Sequence, residues 1–215
     1  MADLNRRRLL CSLVPLITVG GAVAEERHRT VASPAQPRAT DRLPDPLLVS
    51  HRGQSLRFYS DLIADRPVII NLMYTQCAGT CPGTSALLSS LWPALDQAVG
   101  PDLRIISITL DPEHDNPEVL AACAEALRPR NADQFRSDWV FLTGQPDDIE
   151  SIRRGLGFTD PDPAIDRDRS QHSALITFGN DRLNRWATMP VETRREQIQK
   201  SIIRILRGTA AGGVR

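Results

Sequence analysis

The stretch Val68-Ile69-Ile70-Asn71-Leu72-Met73-Tyr74-Thr75-Gln76-Cys77-Ala78-Gly79-Thr80-Cys81-Pro82 joins an apolar, β-branched run to two cysteines and a proline. A short, nearly continuous apolar run suits a central strand covered on both faces. Pro82 suits the first position of a helix, so Cys81 is expected at the helix cap and Cys77 in the loop ahead of it, with Gly79 permitting the tight return. A helix N-terminus favours negative charge, and thiols so placed ionise well below the free value of ~8.5. Two neighbouring thiolates can close into a disulfide or bind a soft ion such as Cu(I). A stabilising bridge would gain little from so small a loop, and a structural zinc site wants four ligands where only two cysteines cluster. The pair reads as chemistry.

Outward from that stretch, strands and helices alternate. Leu47–Val49 and Leu56–Phe58 around Gly53 suggest a hairpin. After Pro82, Leu87, Leu88, Leu91 and Leu95 share a helical face, which Pro93 is expected to kink or end. A strand is expected over Leu103–Thr109, a helix from Pro117 to about Arg128, a strand over Trp139–Leu142 and a helix over Asp147–Leu156. Residues 157–171 read as a polar loop. A closing hairpin, Ala174–Phe178 and Leu183–Ala187, turns at Gly179-Asn180-Asp181. The last helix is marked by Thr193 and Glu196 at capping-box spacing, the stripe Ile198, Ile202, Ile205 and Leu206, and Gly208 as its stop. The pattern predicts one three-layer α/β domain over residues 44–208, a central mixed sheet with helices on both faces, and a tail over 209–215.

The N-terminus reads as an address. Arg6, Arg7 and Arg8 precede an apolar run from Leu9 to Ala24 that ends in Ala22-Val23-Ala24 before Glu25 and Glu26, the three parts of an export signal over residues 1–24. Arg6-Arg7 followed by Leu9-Leu10 also resembles a twin-arginine signal. A general secretory signal and an uncleaved membrane tether through residues 9–24 stay open, although that run is short against the roughly 20 residues needed to span. Residues 25–43, with Pro34 and Pro37, read as a linker. A periplasmic or otherwise exported domain is expected, soluble after cleavage or tethered, in a compartment where thiols oxidise easily. The 26 basic and 26 acidic residues balance, with no basic block beyond the first ten residues, which argues against a nucleic-acid partner.

Three segments carry a family resemblance. Met73–Pro82, Ser107–Glu118 (Ser-Ile-Thr-Leu-Asp-Pro-Glu-His-Asp-Asn-Pro-Glu) and Gln171–Ile176 (Gln-His-Ser-Ala-Leu-Ile) look like the motifs of the Sco/SenC family, copper-binding proteins of cytochrome c oxidase assembly. The resemblance runs from about residue 44 to 207. It implies a thioredoxin-like fold and copper on Cys77, Cys81 and His172. Two thiolates and one imidazole suit Cu(I), while added nitrogen or oxygen donors accommodate Cu(II). The implied role is a metallochaperone, monomeric, that hands copper to an oxidase subunit or exchanges it with another copper chaperone. The alternative is a thiol-disulfide oxidoreductase using Cys77 and Cys81 as a redox dithiol on a partner's copper-site cysteines.

The loop between the cysteines is Ala-Gly-Thr, where many relatives carry a Pro or an acidic residue, and His114 stands where relatives often have Arg. His114 reads as an exposed loop residue. Asp111 and Asp115 are expected to shape the turn and cap the helix at Pro117. Cys123 reads as a buried helix residue, and His51 and His28 as solvated. A peroxidase would need a supporting constellation around a cysteine, and Thr80 beside Cys81 does not supply one.

Overall fold

Residues 38–75, 80–167 and 175–207 are described by the structure, a computed structural model, with backbone alone at 80–82 and 167. Seven strands form one sheet: β1 (Leu47–Ser50), β2 (Ser55–Arg57), β3 (Pro67–Met73), β4 (Arg104–Thr109), β5 (Asp138–Thr143), β6 (Leu175–Asn180) and β7 (Arg185–Pro190). Their order is β2-β1-β5-β4-β3-β6-β7. The three apolar strands β3, β4 and β5 run parallel at the centre, as strands buried on both faces should. β1 and β6 pair antiparallel to β5 and β3, and β2 and β7 close the edges. Helices α1 (Thr80–Val99), α2 (Pro117–Leu127), α3 (Pro146–Gly155), α4 (Pro163–Arg167) and α5 (Arg195–Arg207) connect and cover the sheet.

Strand alternation sorts the core into two layers. Ile69 and Met73 of β3, Ile105, Trp139, Phe141, Ile176 and Phe178 face α1, α2 and α5, where Leu88, Leu91, Leu95, Leu120, Ile198 and Ile202 meet them. Val68 and Ile70, Ile106, Ile108, Val140 and Leu142 face the other way, against Ile149 and Ile152 of α3 and Phe58, Leu62 and Ile63. The expected mixed sheet with helices on both faces is what forms.

Several local expectations shift. Pro93 lies inside α1, which continues to Val99. Burial of Leu88, Leu91, Trp92 and Leu95 on either side outweighs the about 3 kcal/mol that an interior proline costs. The closing turn falls at Asp181–Leu183 with Asn184 in the left-handed region, while Gly179 and Asn180 remain in β6. Helix α5 starts at Arg195, so Thr193 and Glu196 do not frame it as a capping box; Gln197 N and Ile198 N instead bond Arg194 O. Within the stretch read as linker, Ala39 and Leu43 are buried in the second layer. Gly208 and the tail lie outside the described residues.

The polar segment 157–167 is ordered, with α4 inside it, because Arg153 organises it. The guanidinium reaches Phe158 O at 2.5 Å and both carboxylate oxygens of Asp166. Asp166 also accepts from Asp160 N at 2.8 Å. At the far end of α1, Asp96 accepts from Arg136 N, Ser137 N and Ser137 Oγ at 2.8, 2.6 and 2.6 Å, pinning the approach to β5.

Candidate functional site

The antiparallel register of β3 and β6 runs from Pro67 opposite Asn180 to Asn71 opposite Ile176. The exit of β3 and the entry of β6 therefore lie side by side at the same end of the paired strands. In sequence, Cys77 follows Met73 by four residues and His172 precedes Leu175 by three. Cys77 and His172 themselves lie outside the described residues. Cys81 is described by its backbone, in the first turn of α1. That helix begins at Thr80, two residues ahead of Pro82, so Cys81 is inside the turn instead of at its cap; Pro82 still falls where a missing N–H costs nothing. The positive end of the helix dipole favours a thiolate at such a position.

The chain entering this region is tied down at Thr75. Asp115, 1% exposed, accepts from Thr75 N at 3.0 Å and from Thr109 Oγ1 at 2.5 Å through Oδ2, and from Thr75 Oγ1 through Oδ1. Thr109 Oγ1 in turn accepts from Asp111 N at 2.9 Å, and Leu110 N donates to Met73 O at 2.7 Å. Asp115 is thus turned inward; the N-cap of α2 is Asn116, whose side chain accepts from Val119 N at 3.0 Å. Asp111 shapes the turn as expected, its carbonyl accepting from Asp115 N. The signal for an inward aspartate was the placing of Thr75 and Thr109 at the ends of two apolar strands, which leaves buried hydroxyls in need of an acceptor.

His114 is exposed, as expected, with Nδ1 3.0 Å from Asp111 Oδ1, and that hydrogen bond raises its pKa. His51 is not simply solvated. It is half-buried, Nδ1 accepts from Phe141 N at 3.2 Å, and its ring stands edge-on to Phe141 at 5.6 Å. Burial, then the charge of Arg52, lowers its pKa. Cys123 is half-buried against the first core layer, its thiol pushed up by burial and then by the charge of Asp115, which disfavours reactivity. Among the described residues no group of three or more His, Cys, Asp or Glu could hold a metal ion, so a three-ligand site of that kind must draw on residues beyond them.

The family model SCO1/SenC matches residues 38–207. The SCO1 protein homolog of Bacillus subtilis (strain 168) is 37% identical over 76 residues, 35% of this chain and 36% of that protein, so the match spans well under two thirds of the relative. Among solved structures, Arabidopsis thaliana ScoI with copper bound superposes with a TM-score of 0.60 at 16% identity, covering 78% of this chain and 99% of that one. BsSco, described as having a disulfide switch and as a member of the Sco family of cytochrome c oxidase assembly proteins, superposes with a TM-score of 0.59 at 20% identity, covering 78% and 95%. At these identities the structural likeness is one of fold, and the fold is thioredoxin-like. Taken with the family match over most of its length, these similarities show that the chain belongs to the SCO1/SenC family.

Proposed function

We propose that this chain is a copper-binding assembly factor that holds Cu(I) on Cys77, Cys81 and His172 and passes it to a copper-receiving subunit of a respiratory oxidase or to another copper chaperone. The observation that carries the reading is the β3–β6 pairing, in which the end of the strand leading to both cysteines and the start of the strand following the histidine lie side by side. Relatives of the same fold support it, one with copper bound and one described with cytochrome c oxidase assembly. Two thiolates and an imidazole suit a soft monovalent ion and leave it open to attack by an incoming ligand, which is what delivery by exchange requires. An exported location, through residues 1–24, would put the domain where such a recipient is assembled.

Competition of the purified protein against a Cu(I) chelator tests the reading. One ion per chain is expected, with strong loss of affinity in Cys77→Ser, Cys81→Ser and His172→Ala. Unchanged affinity in the two serine variants would overturn it. Fractionation of cells making the intact chain tests export, and retention in the cytoplasm would refute that part.

A second reading is favoured by the placing of Cys81 at a helix N-terminus and by the disulfide switch described for BsSco. In it the Cys77–Cys81 dithiol reduces a partner's disulfide, the partner gaining two electrons and two protons while the Cys77–Cys81 bond forms. A dithiol activity that survives His172→Ala unchanged, in a protein that binds no Cu(I), would select it.

A further inference from the structure

Asp115 poses a physical question. A carboxylate at 1% exposure is costly to bury, and capping of α2, the role its position in sequence suggests, is performed by Asn116. What the carboxylate does is grip one residue twice: both the backbone N–H and the hydroxyl of Thr75 donate to it. Fixing main chain and side chain together removes the backbone and χ1 freedom of that residue. Thr109, at the end of the neighbouring strand β4, donates to the same oxygen as the Thr75 N–H and locks the carboxylate in place. Thr75 is two residues from Cys77, about 7 Å of fully extended chain.

We propose that Asp115 is a positioning residue for the dithiol: by clamping Thr75 it narrows the range of positions open to Cys77 and raises its effective concentration toward Cys81. The proposal rests on the reading of Cys77 and Cys81 as a working pair. It adds that the aspartate four residues after Asp111 acts through Thr75 on the sulfurs and is not itself a ligand. Asparagine at 115 keeps the shape but loses one acceptor. Thr75 N–H, Thr75 Oγ1 and Thr109 Oγ1 then compete for a single carbonyl oxygen.

The test is the equilibrium of the full chain, carrying Cys11→Ser and Cys123→Ser, with glutathione. The Cys77–Cys81 bond breaks, one glutathione disulfide forms, and two electrons and two protons pass from two glutathione thiols to the protein sulfurs. Asp115→Asn is expected to weaken the protein disulfide about fivefold or more, Thr75→Val comparably, and the double variant no further. Asp96→Asn is the control, because it too removes a buried carboxylate with three donors, at the opposite end of α1. It should lower the unfolding free energy and leave the glutathione equilibrium within about twofold. The proposal is overturned if Asp115→Asn stays within that same margin, if the two changes add, if Asp96→Asn shifts the equilibrium as far, or if no Cys77–Cys81 disulfide forms. Thr75→Val alone decides the matter should Asp115→Asn fail to fold. Copper takes no part in this equilibrium, so failure of the copper reading, seen as Cu(I) binding indifferent to Cys77→Ser, is a separate result.

Discussion

Arg153 holds Asp166 by two parallel hydrogen bonds, Nη1 to Oδ1 and Nη2 to Oδ2, each 2.7 Å long. Its Nε and Nη2 also reach Glu150 at 2.7 and 3.0 Å, and Nη1 reaches Phe158 O at 2.5 Å, so all five guanidinium hydrogens are used. The arginine side chain is 6% exposed, while those of Glu150 and Asp166 are 37% and 20% exposed. Removing one partner of a fully buried pair costs about 3–5 kcal/mol; here the carboxylates left behind can rehydrate, so Arg153→Met should cost about 2–3 kcal/mol. Asp166→Asn keeps one acceptor and should cost about 1 kcal/mol. Urea unfolding at neutral pH measures both, and an Arg153→Met midpoint equal to that of the unaltered protein would show that α4 is held by something else.

Much of the sheet was legible because its central strands are locally decisive: Val68–Met73 is too short and too β-branched to be read as a helix. What escaped depends on partners distant in sequence. Residues 157–167 look like loop because Asp160, Asp162 and Asp166 are polar, and their order comes from an arginine thirteen residues before Asp166. Asp115 looks like a cap because Pro117 follows it, while its donors on Thr75 are forty residues away. His51 looks like a turn residue until Phe141, ninety residues on, closes over it. The proposed chemistry was read in another way: Cys77 and Cys81 stand out by residue type and spacing, and His172 through the family motif alone. Their mutual geometry belongs to residues the structure does not describe.

His51 and His114 should titrate on opposite sides of the ordinary value of 6.5. Nδ1 of His51 accepts the Phe141 N–H, so its proton sits on Nε2, and a second proton would break that bond. Burial and Arg52 also oppose protonation, with Asp138 nearby as the weaker opposing charge. Because the folded pKa of His51 is lowered, its contribution to stability is complete above 6.5 and is lost as pH falls through the folded value. His114 behaves conversely. Its Asp111 bond raises the folded pKa, so its contribution is present below 6.5 and is lost as pH rises through the raised value. Imidazole proton resonances followed from pH 5 to 8, assigned with His51→Gln and His114→Gln, test the ordering. A His51 that titrates above His114 would contradict the hydrogen bond drawn to Phe141.

Gly179 lies within β6 opposite Trp186 of β7, where glycine ordinarily weakens a strand. Here its missing side chain makes the seat for an indole: a Cβ on residue 179 would land on the Trp186 ring and come within 2.8 Å of Arg185 O. Gly179→Ala should therefore cost about 1–3 kcal/mol, since the half-buried ring packs against the second core layer and Arg185 O is fixed backbone. The Nε1–H of Trp186 is buried without a partner among the described residues, so Trp186→Phe, which keeps an aromatic ring and deletes that donor, should be close to neutral. The decisive measurement is the background dependence. With Trp186→Leu the ring no longer blocks a methyl group at 179 and only the close approach to Arg185 O remains, so Gly179→Ala should then cost about 1 kcal/mol less than with tryptophan in place. Equal penalties for Gly179→Ala with tryptophan or leucine at 186, read from urea midpoints of the four proteins, would mean that the indole is not what requires the glycine.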